Sequence, residues 1–329
     1  MRRSHGKEGE RGIALISVLA LIFTGGILTG AMVMIAQVYA LDTAANLKLM
    51  RAGYIAEGAT NRVIWLVAAD RANYSEASPG ETDYADYATE RFFADSLRRT
   101  LDYYGTEVIY YIEDAVSGID VSTAENLNNA FFQLQAHELD STLSDRLTPL
   151  LDVYTDYVDS DDDPGNDGME SDDYAADGRA PLPRNAPLQF REELYYLPGF
   201  TEVFPVGKDG RYTAFRLISL IDSVDMSGLP ALLTAPAWLI RAYAGYTEEE
   251  AQDIMEAIAE YKEDRGKLSD KLEGTTLQNL LQYFALDESG IYTIRVQVNP
   301  TTAGGSRLSS TFAADNLANP IEFLEFLRY

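Results

Sequence analysis

Between Ile13 and Leu41 the chain runs for 29 residues without an Asp, Glu, Lys, Arg or His. About 20 apolar residues cross a hydrocarbon core of roughly 30 Å as a helix. Lipid offers the backbone no hydrogen-bond partner, so a single apolar run of this length must be helical to span. Arg2, Arg3, Lys7 and Arg11 precede it and Asp42 follows it. A basic flank stays on the cytoplasmic side. The expectation is one N-terminal membrane helix, N-terminus inside, with the rest of the chain on the far side.

The junction Arg11-Gly12-Ile13 adds a second constraint. A secretory signal has an apolar core of about 7–15 residues and a small-residue cleavage site behind it. Here the run is too long, and no such site follows it promptly. A Gly at the head of the run resembles the leader of type IV pilins and pseudopilins. That resemblance implies cleavage after Gly12 by prepilin peptidase and methylation of the new N-terminus, Ile13. Taken alone, the junction reads equally well as an uncleaved signal anchor.

Charge narrows the partners. The 329 residues hold 26 Lys plus Arg against 52 Asp plus Glu, a formal net charge of −26. Nucleic-acid binding draws on clustered Lys and Arg, so no nucleic-acid partner is expected. There is no Cys and there are two His, His5 and His137. Disulfides and thiolate metal sites are excluded. A zinc site or a Ser-His-Asp triad would have to use His137, which lies in a helical pattern as a solvated residue. No phosphate loop appears, and catalysis is not supported.

Periodicity carries the first helix past the membrane. Ala45, Leu49, Ala52, Ile55, Ala56, Ala59, Val63, Leu66 and Val67 recur at spacings of mostly three and four, one stripe on a helix. A single helix of some 55–60 residues follows, roughly 80–90 Å long. Gly26-x-x-x-Gly30 gives its membrane half a small-residue face. Residues 75–83 read as a loop and Tyr84 to Tyr104 as an amphipathic helix. Glu107 to Asp114 is β-branched and aromatic, a strand, with Gly118 to Val121 a second short one. Thr123 to Tyr157 is helical, with Pro149 expected to break or kink it. Strands return at Gly290 to Val298 and at about 306–313.

Residues 156–200 carry the most specific pattern. Asp156, Tyr157, Asp159, Asp161, Pro164, Gly168, Glu170 and Tyr174 are followed by Asn185, Pro187, Leu188, Glu193, Leu194, Gly199 and Phe200. This order resembles the minor pseudopilin K family of type II secretion (general secretion pathway protein K). Tyr157 stands where the family has Trp, and Tyr174 comes one residue late. Thr234 to Ile258 resembles the family's second helix-hairpin-helix-like unit, whereas the asparagine-rich signature before it survives only as Thr-Ala-Pro.

The resemblance implies an α+β fold. A long pilin-like N-terminal helix, membrane-spanning in its first half, packs on a small antiparallel sheet, with a large all-helical domain inserted between strands. The expected divisions are a leader at 1–12, a membrane helix at 13–41 and pseudopilin helix and first strands at 42–122. An inserted helical domain occupies 123–285, and C-terminal strands at 286–329 complete the sheet. It further implies a non-enzymatic subunit at the tip of the pseudopilus, in the inner membrane with its bulk periplasmic, that helps initiate assembly and protein export. Its partners would be other minor pseudopilins (I and J type), the pseudopilus shaft and prepilin peptidase. Ser17, where most pilin-like subunits carry Glu, suits a subunit that docks beneath no other. The helix side near Ala52, Ile55 and Ala59 is the expected docking face. A membrane-anchored, calcium-stabilised periplasmic enzyme and a type IV pilus minor pilin are the rival readings.

The acidic loop is the one candidate site. Asp159, Asp161, Asp163 and Glu170 fall at relative positions 1, 3, 5 and 12, the spacing of a calcium loop. Pro164 and Asn166 stand where an EF-hand has Gly and an apolar residue, so this is not an EF-hand. Asp156, Asp167, Asp172 and Asp173 are further oxygen donors. The residues alone fit calcium or a solvated acidic linker, and the resemblance implies calcium. The expected ligands are Asp159, Asp161, Asp163, Glu170 and Asp173. Tyr195 to Phe204 superficially resembles a DNA-binding hairpin, but Glu202 and the missing second Gly favour a packing role.

Overall fold

The computed structural model describes residues 7–73, 91–137, 141–178, 182–204, 206, 214–216, 228–264, 266–298, 306–313 and 322–328. Helix α1 spans Lys7–Asn73, 67 residues, about 100 Å at ~1.5 Å per residue. It is longer at its start than the apolar pattern predicts and passes through Gly12 and Ile13 without interruption. Its most apolar window has a mean hydropathy of 2.3 and none of it is buried. By length and composition this half can cross a membrane.

Burial on α1 begins at Ala52. Ala52, Ala56, Ala59, Val63 and Val67 lie against Val108, Tyr110, Ile112, Ile294, Val296 and Phe312 of the sheet. Four of these steps are three or four residues, so the side chains form one line. Alanines let the helix axis approach the sheet closely, and Gly58 lets Tyr103 lie across it: a Cβ there would stand 2.3 Å from the Tyr103 hydroxyl. The docking face expected from the sequence is therefore corrected. Ala52 and Ala59 are inside, 3% and 0% exposed, and only Ile55 remains half-open.

The sheet has five strands in the order β1-β2-β3-β4-β5, all neighbours antiparallel. They are β1 (Arg99–Tyr103), β2 (Thr106–Asp114), β3 (Ile291–Val298), β4 (Ser306–Ala313) and β5 (Glu322–Arg328). β1 replaces the end of the helix expected over Tyr84 to Tyr104; residues 84–90 lie outside the described residues, as does the expected loop at 75–83. The reason is the turn. Tyr104 and Gly105 both have positive φ, 51° and 74°, the two-residue hairpin geometry that matches strand twist. Asp102 Oδ1 accepts the Gly105 N–H at 3.1 Å. Once that turn closes, 99–103 pairs with 106–110. β5 has no counterpart in the sequence reading.

The helical block enters after β2 and leaves before β3, which are adjacent strands, with Asp114 opposite Tyr292. Its two chain passages thus lie side by side at one end of the sheet. The block comprises α2 (Ala124–His137), α3 (Ser141–Val158), α4 (Ser171–Ala176), α5 (Phe200–Val203), α6 (Ala237–Ala244), α7 (Glu248–Asp264) and α8 (Gly274–Leu280). α3 continues through Pro149, so the expected break does not occur. The strand expected at Gly118 to Val121 is a single parallel bridge, Ile119 to Phe215. Leu127, Phe131, Leu150, Tyr154, Phe200, Phe204 and Ile240 share one core, distinct from the core under α1. Within it the packing role expected of the Leu197-Pro-Gly-Phe200 turn is visible: Leu197 and Phe200 are buried and Gly199 takes φ 83°.

A Cβ on Gly118 would meet the backbone of Arg216 at 2.2 Å and of Phe215 at 2.4 Å. Backbone cannot swing aside as a side chain can. Gly118→Ala should therefore break the Ile119–Phe215 bridge and destabilise the inserted block by about 1–3 kcal/mol, read as a lowered denaturation midpoint.

Candidate metal centre

The last turn of α3 and the loop behind it form the site. Asp156 is 3% exposed and its carboxylate accepts the Gly165 N–H at 3.0–3.1 Å. Asp152 Oδ2 accepts the Asp167 N–H at 3.2 Å. The loop thus folds back onto the helix that precedes it by giving backbone N–H groups to carboxylates. This close return is why Gly168 is needed: a Cβ there would stand 1.8 Å from Asp156 Oδ2.

Asp161 Oδ1 accepts the Asp163 N–H at 3.1 Å, turning the chain. From the far side Asn185 reaches in, with its Nδ2 donating to the Asp161 carbonyl at 3.0 Å and its N–H to the Tyr157 carbonyl at 3.1 Å. Glu170 precedes α4 as its N-cap residue, and Asp173 Oδ2 accepts the Glu170 N–H at 3.1 Å. The buried Tyr174 anchors α4 on the same side.

These constraints bring one carboxylate oxygen from each of Asp159, Asp161 and Glu170 within 4.8 Å of one another. Both oxygens of Glu170, and Asp159 Oδ1, are buried without a hydrogen-bond partner. So is Asn185 Oδ1. Burial first, then the neighbouring Asp156 and Asp159, pushes Glu170 up to about 7. Burial, then Asp161 and Asp156, raises Asp159. Asp156 is also raised by burial, against the N–H groups of Gly165 and Met169 that favour its anion.

Orphaned, mutually repelling oxygens are an unfavourable arrangement by themselves. A hard cation relieves it. Calcium takes oxygen ligands at about 2.3–2.6 Å, so ligands on opposite sides of one ion lie up to roughly 5 Å apart, which the observed spacing satisfies. Asp159, Asp161 and Glu170 would hold the ion, with the Asn185 carbonyl oxygen a further donor. Two expected ligands fall outside the three-carboxylate group. Asp163 is exposed and supplies only its N–H to Asp161; Pro164 behind it disfavours the helical turn that an EF-hand spacing assumes. Asp173 spends its carboxylate capping Glu170. Asn185 was not legible as a donor, although it opens the second segment of the loop pattern; Asp156 looked like a further oxygen donor and acts as the loop's internal anchor.

With divalent cation removed, the folded state holds the Glu170 proton more tightly than the unfolded chain does. Stability from this group is present below about 4.5 and is lost as pH rises towards about 7. Added calcium should reverse that loss, contributing about 2.7 kcal/mol at roughly one hundred times its dissociation constant. Chelator should lower the melting temperature at pH 7.5, and Asp161→Ala with Glu170→Ala should remove the difference. Gly168→Ala should remove it too, by displacing Asp156. An identical melting curve with and without chelator would mean no bound ion.

Residues 119–204, from the bridge at Ile119 to the end of α5, match the family model described as type II secretion system (T2SS), protein K. In fold, the chain is similar to one chain of a solved assembly, the crystal structure of the GspK-GspI-GspJ complex from the enterotoxigenic Escherichia coli type 2 secretion system. The TM-score is 0.51 at 13% identity, over 87% of this chain and 99% of that one. No curated protein matches the chain. The family model thus covers the acidic loop and its surroundings, and the solved chain shares the fold over most of this one.

Proposed function

We propose that this chain is a minor pseudopilin of the K type, a structural and non-enzymatic component of the type II secretion pseudopilus that sits at its tip and helps initiate assembly. The observation that carries this reading is the protein K match over residues 119–204, set within an α1-and-sheet core that has the pilin arrangement. Arg2, Arg3, Lys7 and Arg11 support a cytoplasmic N-terminus and a periplasmic inserted domain. Residues 1–12 are the leader; prepilin peptidase cuts between Gly12 and Ile13 and Ile13 is methylated. Calcium holds the loop at 159–170 in one shape. A tip position suits the bulk of the block between β2 and β3, which a shaft subunit would have to bury among its neighbours.

The partners we infer are other minor pseudopilins, as in the solved assembly named GspK-GspI-GspJ. The surface they would use is open on α1. Leu47, Met50, Tyr54 and Trp65 are 53–69% exposed at spacings that keep them near one helix face. Leu47, Met50, Arg51, Tyr54, Ile55 and Tyr103 line an apolar groove of about 420 Å³. It continues the exposed apolar surface of the membrane half, so a partner helix of like build could lie along both.

Two experiments test the reading. Gly12→Val should leave the full-length precursor in membranes, seen by mass spectrometry of the N-terminus; a chain still beginning at Ile13 would remove the leader argument. Tyr54→Asp, which places a charge in the groove, should weaken co-purification with two other minor pseudopilins by about 2 kcal/mol or more without lowering the melting temperature. If the wild-type protein binds neither partner and instead forms a uniform filament alone, it is a shaft-type pilin.

A further inference from the structure

The root of the inserted block contains a second cluster of ionisable groups, remote in sequence from the acidic loop. Asp70 and Arg71 come from the end of α1, Arg91 from the segment before β1, Asp114 from the end of β2 and Glu288 from the segment leading into β3. Arg91 grips Asp70 with two hydrogen bonds, 2.8 and 3.2 Å. Arg71 Nη2 lies 3.1 Å from Asp70 and 3.0 Å from Glu288. The ring of Phe93 is met by both guanidiniums, at 5.0 Å for Arg71 and 4.5 Å for Arg91. Glu288 also accepts the Ala94 N–H at 2.6 Å and the Tyr292 hydroxyl at 2.8 Å. Asp114 accepts the Ser289 N–H at 2.7 Å, the Ser289 hydroxyl at 2.9 Å and the Val116 N–H at 2.9 Å.

This cluster ties together both chain passages of the insertion, 114–117 on the way in and 288–291 on the way out, and fastens them to the end of α1. All five charged side chains are buried. Among the described residues, the groups that face Glu288 are Arg71 from α1, the Ala94 N–H from the segment before β1, Asp114 from β2 and Tyr292 from β3, with Asp70 and Arg91 joined to it through Arg71. Asp95, also nearby in that segment, is held by Arg99 at 2.8 Å. The cluster therefore sets three carboxyl groups against two guanidiniums. A buried charge without a counter-charge is costly, and the cheapest relief is for one carboxyl to hold a proton.

We propose that Asp70, Arg71, Arg91, Asp114 and Glu288 form a proton-responsive clasp at the root of the inserted domain, closed when Glu288 and Asp114 hold one proton between them and loosened when both are ionised. Its surroundings agree in direction. Burial, partly offset by Arg71 and the donors on its carboxylate, pushes Glu288 up to about 7. Burial also raises Asp114, against three hydrogen bonds that favour its anion. Two interacting carboxyls share the proton, so the apparent value belongs to the pair. Because the folded cluster binds the proton more tightly than the unfolded chain, its stabilisation is complete below about 4.5. It declines as pH rises and is gone above about 7. A domain that stands rigidly on α1 in mild acid thus gains freedom at its root near neutrality. This inference does not depend on the tip assignment.

The test is hydrogen exchange read by mass spectrometry on the full chain in detergent micelles with calcium present, from pH 5 to pH 8, with rates corrected for intrinsic exchange. One proton released on opening makes the opening constant of segments 91–95, 114–117 and 288–292 rise up to about tenfold per pH unit between roughly 5 and 7. Helix α7, in the core away from the clasp, should stay flat. Glu288→Gln, the neutral isostere, should flatten the profile at all three segments. Should that variant not fold, Asp114→Asn serves: it leaves two carboxyls for two guanidiniums and should flatten the profile above pH 5. A flat wild-type profile overturns the proposal, as does an equal slope in α7. So does a folded variant that keeps the wild-type slope.

Discussion

The α1-and-sheet unit hangs on one contact, the line of small side chains along α1 pressed against the sheet. Ala52, Ala56 and Ala59 are 0–3% exposed, and each brings helix backbone closer to β2 and β3 than a larger residue would. Deleting surface from water is worth about 25 cal/mol per Å², but the geometry matters as much as the area. A helix set this close leaves its opposite face bare, with Leu47, Met50, Tyr54 and Trp65 exposed along it. One side of α1 packs on the sheet and the other stays exposed. The division is set by where alanine gives way to Leu, Met, Tyr and Trp.

The acidic loop follows a different logic. Its shape is made by carboxylates that accept backbone N–H groups, Asp156 and Asp152 above all, and only the remainder can hold an ion. This separation explains why the calcium spacing was half legible. Counting positions one, three, five and twelve finds four carboxylates in the loop, but cannot tell a carboxylate that folds the loop from one left over when folding is done. Asp173, which takes the Glu170 N–H, belongs to the first kind, whereas Asp163 gives only its N–H and stays exposed. Glu170, with both oxygens orphaned, belongs to the second. Asn185 is brought in by the chain's return, which no local pattern encodes.

The long helix, β2, β3, β4 and most of the helical block were readable because each rests on periodicity within one segment. β1 and β5 were not. β1 is short and amphipathic by either period, and its strand state is decided by the Tyr104-Gly105 turn, in which a Tyr takes φ 51°, a conformation few would assign to it. β5 owes its place to the edge offered by β4. Pro149 misled in the opposite sense: burial of Leu147, Leu150 and Tyr154 on one side of α3 outweighs the lost backbone bond.

Placing the insertion between adjacent antiparallel strands has a consequence for the order of folding. β2 must find β3 across residues 115–290, and until it does its free edge is a bare ladder of N–H and C=O groups, the kind of surface on which chains aggregate. Closing so long a loop costs entropy that grows with the logarithm of its length, and such distant pairings are slow. A helical block with its own core shortens the search. Once folded, it presents its two ends side by side, and the effective loop shrinks to the distance between them. The block then acts as a built-in chaperone for the sheet that carries it, and a lesion inside the block would surface first as a sheet that fails to close.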